Sequence, residues 1–524
     1  MPPTYSPEIE KLFKLYGQSY RWLVTIGGLI GSMTMVLSAT MVNVAIPSIM
    51  GAFGVGQDIA QWTATAFLTT MVASQLLNAW MVQSFGQRFI FLGCLIIFTI
   101  GAVVCASSPN IEVLIVGRIL QGFAAGIIQP LVLATIVAVF PKNRRGFAVG
   151  MYGMGVTLAP SFGPWVGGLA IDAFTWRHIF LAVGPLILIA FLMGLFFMPN
   201  KEADNKIARF DWLGYVLVAT AVSCMISVIG NGQRWGWASD KTSIFIILGI
   251  VATVAFIYSQ IKSENPILDP SLFLDARFTS VMLIAFAFGA GNFATNYSIP
   301  LFVQTIQGYT PTRAGLILVP AGILLITLIP LSGRLSDHMP SHQPIIFGCL
   351  IFLIAAYLMS NADVNTPFWT MAIYALLSRG AIGLVMPNMG KVAMSAVSSE
   401  NLNKAAGTYN FIRQMGGATG VAITALAIEV QTAYHMDHLV SSQVISGHSS
   451  REALDKIAEV LRTGGFYDSA EQSGAIQYLT EIVYSQARTL GFQDSFFLIS
   501  LTFFIALIPA FLLRQSTNIK ATRS

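Results

Sequence analysis

Charge is what this chain has least of. Asp, Glu, Lys and Arg make up 10% of 524 residues, against roughly 25% in soluble domains. A chain so poor in charge cannot cover a surface that faces water, which excludes an ordinary soluble fold. The formal net charge of +5 comes from cations scattered between apolar runs, with no basic stripe for a nucleic acid to follow. Cysteine is also scarce. Cys94, Cys105, Cys224 and Cys349 all fall in apolar stretches and show no metal-ligand spacing, so they read as small core residues. The chain has no nucleotide-binding loop, metal-spaced cluster or nucleophile motif, so neither an enzyme nor a bound cofactor is expected. A cleavable leader is not expected either: the first apolar run, from Trp22 to about Pro47, is too long for one and no small-residue cleavage site follows it.

What is present is hydrophobicity, 55% of residues, with a mean hydropathy of +0.69. About twenty apolar residues cross ~30 Å of hydrocarbon. That window predicts about fourteen spans: 22–47, 60–83, 89–107, 112–140, 147–171, 178–198, 211–230, 243–262, 278–304, 313–333, 343–361, 368–390, 405–429 and 494–514. The loops divide sharply by charge. One set carries Arg88, Lys142, Arg144, Arg145, Lys201, Lys206 and Arg209 together with the terminal cations, whereas the short loops of the other set hold only Arg177, Arg234, Lys241 and Arg313. By the positive-inside bias the first face, with both termini, is cytoplasmic. Leu12, Phe13, Leu15 and Tyr16 with Lys11 and Lys14 suggest either a surface helix or a frayed tail within residues 1–21. Residues 430–493 turn polar yet keep helical apolar spacing at Leu454, Ile457, Ala458 and Leu461, which predicts a small helical cap outside the membrane, with a disordered insertion as the alternative.

Three arginines, Arg118, Arg379 and Arg413, lie deep in apolar spans, with no carboxylate at comparable depth. Each costs at least ~2.5–3.5 kcal/mol at the bilayer centre, so each must face a packed interior or a wet pathway. Arg118 is either the electrostatic element of a pathway or a bond to first-span carbonyls. Arg379 lies near mid-membrane, where contact with a ligand and a packing role are equally open. Arg413 opens a glycine-rich stretch with Gly416, Gly417 and Gly420, and an anchor for carbonyls at an inner gate is the favoured role. Other polar candidates are Ser38, Thr40 and Asn43 in the first span, Gln121 and Gln129 in the fourth, and Asn292 and Asn296 in the ninth. The two asparagines, four residues apart, share a helix face. Gly163-Pro164 in the fifth span removes a backbone hydrogen bond and should bend that helix.

The spans divide as six, two and six, and the outer sets echo one another. The fourth span carries Arg118-Ile-Leu-Gln121-Gly122 and reaches Pro130; the twelfth carries Arg379-Gly380-Ala-Ile-Gly383 and reaches Pro387. The fifth carries Gly163-Pro164-Trp-Val-Gly167-Gly168 and the thirteenth Arg413-Gln-Met-Gly416-Gly417-Ala-Thr-Gly420. The loop after the tenth span reads Gly333-Arg334-Leu335-Ser336-Asp337, and the first span ends Thr40-Met-Val-Asn43-Val-Ala-Ile-Pro47. Taken together these motifs resemble the major facilitator superfamily, specifically its fourteen-helix drug:proton antiporter branch (EmrB/QacA-like). The resemblance runs from about residue 22 to 514 and implies an all-α membrane fold: a half over 22–198, two extra helices over 199–277, a half over 278–514, and a tail at 515–524. It also implies a central cavity lined by spans 1, 4, 9 and 12.

By the same resemblance, Arg118, Gln121, Gly163, Pro164, Arg413 and Asp337 are expected in coupling and gating, and Ser38, Thr40, Asn43, Gln129, Asn292, Asn296 and Arg379 in substrate binding. Two departures stand out: Ser38 replaces the usual first-span aspartate, and Gln83 replaces an acidic residue of the cytoplasmic-loop motif. The implied function is outward, proton-gradient-driven export of an amphipathic small molecule across a bacterial inner membrane. The cationic interior favours neutral or anionic cargo over cationic dyes. The branch further implies a periplasmic adaptor and a TolC-type outer-membrane channel as partners. The competing expectation is a receptor or scaffold that kept the fold without transporting.

Overall fold

The computed structural model describes residues 7–141, 145–200, 210–263, 266–397, 402–442, 448–463 and 469–521, and all regular elements among them are helical. The first half comprises α1 (Pro7–Tyr16), α2 (Tyr20–Phe53), α3 (Gln57–Ala60), α4 (Trp62–Gln75), α5 (Asn78–Phe85), α6 (Gln87–Ala106), α7 (Ile111–Val139), α8 (Arg145–Ala173), α9 (His178–Leu181) and α10 (Gly184–Phe197). Two central helices follow, α11 (Trp212–Trp235) and α12 (Asp240–Lys262). The second half comprises α13 (Ala276–Thr305), α14 (Pro311–Leu316), α15 (Val319–His338), α16 (His342–Met359), α17 (Phe368–Ser395), α18 (Leu402–Ser442), α19 (His448–Thr463) and α20 (Ser469–Ala521).

Thirteen helices among the described residues are long and apolar enough to cross a membrane. The second expected span, 60–83, differs: it is two helices, α4 and α5, each too short to cross alone. The change of direction at Leu76 and Leu77 uses tighter bonds, Leu76 N–H to the Ala73 carbonyl and Leu77 N–H to that of Ser74. It directly follows the place where α7 presses closest. A Cβ on Gly126 would run into the Met71 carbonyl and the Ser74 hydroxyl.

Polar side chains set several helix starts, as the orphan amides of a first turn require. Asn110 accepts from Val113 N–H at 3.0 Å to open α7, and Asp275 from Arg277 N–H at 2.8 Å to open α13. The segment expected to form a separate cap is different in kind. α18 and α20 each continue without interruption beyond their apolar stretches, and α19 lies between them, packed on α20. α1 lies against the base of the first half, with Phe13 edge-on to Tyr20 at 5.0 Å and Tyr16 edge-on to Phe197 at 5.1 Å.

The turns fall on two faces. On the cation-poor face, Arg177 donates to the Ser108 carbonyl at 3.1 Å, Gln307 to the Asp363 carbonyl at 2.9 Å and Arg488 to Gln57 at 3.3 Å. On the cation-rich face, Arg88 donates to the Met198 carbonyl at 2.8 Å, and Lys404 pairs with Asp269 at 3.1 Å. Hydrogen bonds from Ser271 and Lys404 hold the Asp269 carboxyl below its usual range, so this linker is pinned to the start of α18.

The two halves meet most tightly toward the cation-poor face. A Cβ on Gly168 of α8 would collide with the Pro311 carbonyl of α14, and one on Gly315 with the Pro164 carbonyl of α8. Only glycine permits so close a backbone approach. Asp172 adds a bond from Thr312 N–H at 3.0 Å. Nearer the cation-rich face, a Cβ added at Gly153 of α8 or Gly407 of α18 would meet nothing within 4 Å. α11 lies over one side of this seam, packed on both α4 and α18.

A Gly168→Leu substitution should therefore force the halves apart at the cation-poor face. Spin labels on Phe174→Cys and Val364→Cys, both exposed there, should report a longer mean distance in the variant. An unchanged distance distribution would show that this contact does not hold the face shut.

Candidate functional site

The cavity between the halves is built from seven helices. Its walls are Val36 and Ala39 (α2), Met71 (α4), Gln129 (α7), Val156 and Pro160 (α8), Asn292 and Phe293 (α13), Met386 (α17), and Arg413 and Gln414 (α18). The four helices expected to line it all do so, and spans 2, 5 and 13 contribute as well. The wall is mostly aliphatic and methionine-rich, with polar groups converging from both halves. No carboxylate is among the lining residues.

Gln129 stands at the centre. Its side-chain oxygen accepts from Gln414 across the seam at 3.2 Å, and its carbonyl accepts from the Tyr152 hydroxyl at 2.8 Å. Its amide nitrogen faces only the Met71 sulfur at 3.8 Å, a weak acceptor. Gln414 and Tyr152 were not singled out from sequence. A glutamine adjoining Arg413 in an apolar span was the available signal.

The three arginines separate by what they touch. Arg118 is fully buried inside the first half. Its Nε donates to the Thr63 carbonyl at 2.7 Å and Nη1 to Gln121 at 2.9 Å, and the guanidinium lies 4.3 Å from the Phe67 ring centre. The carbonyl belongs to α4, the second span, whereas the packing alternative placed it in the first. Arg118 and Gln121 line no part of the cavity; Arg118 binds α7 to α4, and Gln121 accepts from Arg118 and from Cys105 of α6. Glycine at position 122 makes that approach possible, since a Cβ there would meet the Phe67 carbonyl.

Arg379, 1% exposed, lies behind the cavity wall. It donates to the Asn292 side chain, to the Asn292 carbonyl at 3.3 Å and to Thr295 at 3.3 Å. Asn296 donates back to the Asn292 carbonyl at 3.0 Å, and Asn43 of α2 donates to the Asn296 carbonyl at 3.1 Å. A polar chain thus runs from α17 through α13 to α2, joining the halves. Of the seven residues expected to bind substrate, Gln129 and Asn292 reach the cavity. Arg379, Asn296 and Asn43 stand behind it as supports. Ser38 is buried, and Thr40 packs on Gly163 with its hydroxyl bonded to the Val36 and Leu37 carbonyls.

Arg413 is the correction with most consequence. Instead of anchoring carbonyls at a gate, its side chain lines the cavity, and its Nε is buried with no hydrogen-bond partner. Among the described residues no carbonyl accepts from its guanidinium. Its place is set by α18 lying hard against α13, where a Cβ on Gly416 would meet the Phe286 carbonyl and one on Gly289 the Arg413 carbonyl. Gly163 and Pro164 sit where α8 crosses α2 and α14, outside the cavity wall. The side chain of Asp337 lies outside the described residues.

A family model, described as the Major Facilitator Superfamily, matches residues 28–421. The chain belongs to that superfamily. It is therefore a multi-pass membrane protein of a transporter family. It is 27% identical over 489 residues to the uncharacterized MFS-type transporter YhcA of Bacillus subtilis (strain 168), covering 92% of this chain and 90% of that one. It is 25% identical over 496 residues to the multidrug export protein EmrB of Haemophilus influenzae, covering 93% and 94%. The same fold is found in a bacterial homologue of the human lysosomal transporter Spinster, with a TM-score of 0.63 at 16% identity, covering 95% of this chain and 98% of that one.

The different bonding of the arginines predicts different costs of change. Asn292→Leu removes a hydrogen bond to a buried charge and should lower stability by about 2–3 kcal/mol. Arg413→Gln breaks no such bond and removes an unpaired buried charge, so it should leave stability unchanged or raise it. Thermal unfolding in detergent should rank the two variants in that order.

Proposed function

We propose that this protein is a secondary active exporter of amphipathic organic compounds, driven by proton antiport and working by alternating access in a bacterial cytoplasmic membrane. The observation that carries this reading is the cavity itself: walls from both halves, with a tight glycine contact between the halves toward one face. A site shared by two halves changes its exposure whenever they rock, which is what alternating access requires. The loop cations support a cytoplasmic location for the face opposite that contact, from which the cargo would enter. The multidrug export protein among its relatives supports the direction of transport.

Arg118 is assigned to coupling through its hold on α4, with Gly163-Pro164 as the pliant contact and Asp337 as a gating residue of the cytoplasmic loop. Reconstituted vesicles with an imposed pH gradient should accumulate an amphiphile, and a protonophore should abolish the accumulation. Arg118→Ala should reduce gradient-driven flux by an order of magnitude or more while leaving equilibrium binding intact, because the residue does not line the cavity. Flux that is indifferent to the gradient would sink proton antiport. Cargo binding without flux would favour a receptor.

The helical extension on the cation-poor face exposes Tyr434, Val440, Val460, Ile476, Tyr478 and Ile482. We assign it to docking a periplasmic adaptor that leads to a TolC-type outer-membrane channel. Deleting residues 440–490 should lower efflux from intact cells but not flux in reconstituted vesicles. Undiminished cellular efflux would remove the assignment.

A further inference from the structure

The cavity lining holds one formal charge, and among the described residues no carboxylate pairs with it. Arg118 bonds the Thr63 carbonyl and Gln121 inside the first half, and Arg379 bonds Asn292 and Thr295 from behind the cavity wall, each with one guanidinium nitrogen left unpaired. Glu429, the deepest carboxylate of α18, lies beside Asp58 and Tyr297 nearer the cation-poor face, not beside Arg413. Arg413 thus presents a guanidinium to an apolar, mid-membrane space with a buried Nε unpaired. Leaving such a group without an acceptor is costly, and a carboxylate is the acceptor whose planar, two-oxygen geometry matches its fork.

We infer that the cargo of this cavity is an amphipathic organic anion, a carboxylate joined to an apolar body, and that Arg413 is the residue that recognises it. The inference rests on the transport reading above and adds the chemical class of the cargo. The neighbouring donors fit the anion. The Gln129 amide nitrogen is engaged only by a thioether at 3.8 Å, so it can turn to a carboxylate oxygen without breaking a strong bond. The buried, unpartnered Gln414 oxygen is free to accept a hydroxyl or amide donor from the cargo. Val36, Ala39, Met71, Val156, Phe293 and Met386 then surround the apolar body. The cavity's methionines can repack around different ring shapes. A lipophilic cation in the same space would meet like charge with no carboxylate to offset it.

The test uses the full chain in nanodiscs, without a gradient, and three probes sharing one ring system: naphthoate, its methyl ester and naphthylmethylammonium. Equilibrium binding at neutral pH should favour naphthoate over the other two by at least tenfold. Arg413→Gln should bring the ratio of naphthoate to ester affinity down to about one, and Arg413→Lys should retain part of the preference. Gln414→Glu, which sets a carboxylate of the protein's own beside the guanidinium, should abolish the preference without removing Arg413. Failure of naphthoate to bind, equal binding of the ammonium probe, or a preference that survives Arg413→Gln would overturn the inference. Because binding is read without a gradient, these outcomes are separate from transport. Arg413-dependent binding with no flux in energised vesicles would instead sink the transport reading and leave the anion site standing.

Discussion

A guanidinium in hydrocarbon must be bonded or must face a ligand or water, and much of this structure is arranged around that demand. The cost of an unsatisfied charge at the bilayer centre exceeds that of most single packing defects. Arg118 meets the demand by pulling α7 onto the backbone of α4, over the ring of Phe67. Arg379 meets it by clamping Asn292, which through Asn296 and Asn43 ties α17 to α13 and then to α2. Among the described residues, no hydrogen-bond acceptor meets it for the Arg413 Nε. The cavity that it borders inherits the demand.

Glycine supplies the complementary constraint. In a membrane, helix association rests on close packing and interhelical hydrogen bonds rather than on hydrophobic drive. Backbone contact at Gly168 and Gly315 seals the cation-poor face, and the contact at Gly289 and Gly416 sets the depth at which Arg413 projects. The seal and the charged site are consequences of the same kind of contact. Rocking about the seam would therefore change access to the cavity without taking apart the bonds of Arg118 or Arg379, which lie within one half each.

The internal repeat is real in sequence and broken in bonding. Arg118 and Arg379 occupy matching places in spans 4 and 12, yet one bonds a carbonyl of α4 and the other a side chain of α13. The difference follows from their neighbours: an asparagine at 292 reaches the second arginine, whereas the first lies against a bare carbonyl at Thr63. The first half thus keeps its cation internal, and the second uses its cation to brace a residue of the cavity wall.

Thirteen of the crossings were readable from hydropathy alone, because about twenty apolar residues in a row have few other stable environments. The buried arginines, the repeat and the family were equally legible, since each depends on residue type and order. The break at Leu76–Leu77 was not: no proline or glycine marks it, and it accompanies the approach of α7, a partner far away in the chain. The direction in which each arginine points was hidden for the same reason. A helix carries its side chains all round, and only its neighbours decide which face is packed and which is open. Sequence by itself determined that this interior would be cationic; tertiary structure alone decided that a single one of those cations would face the cavity.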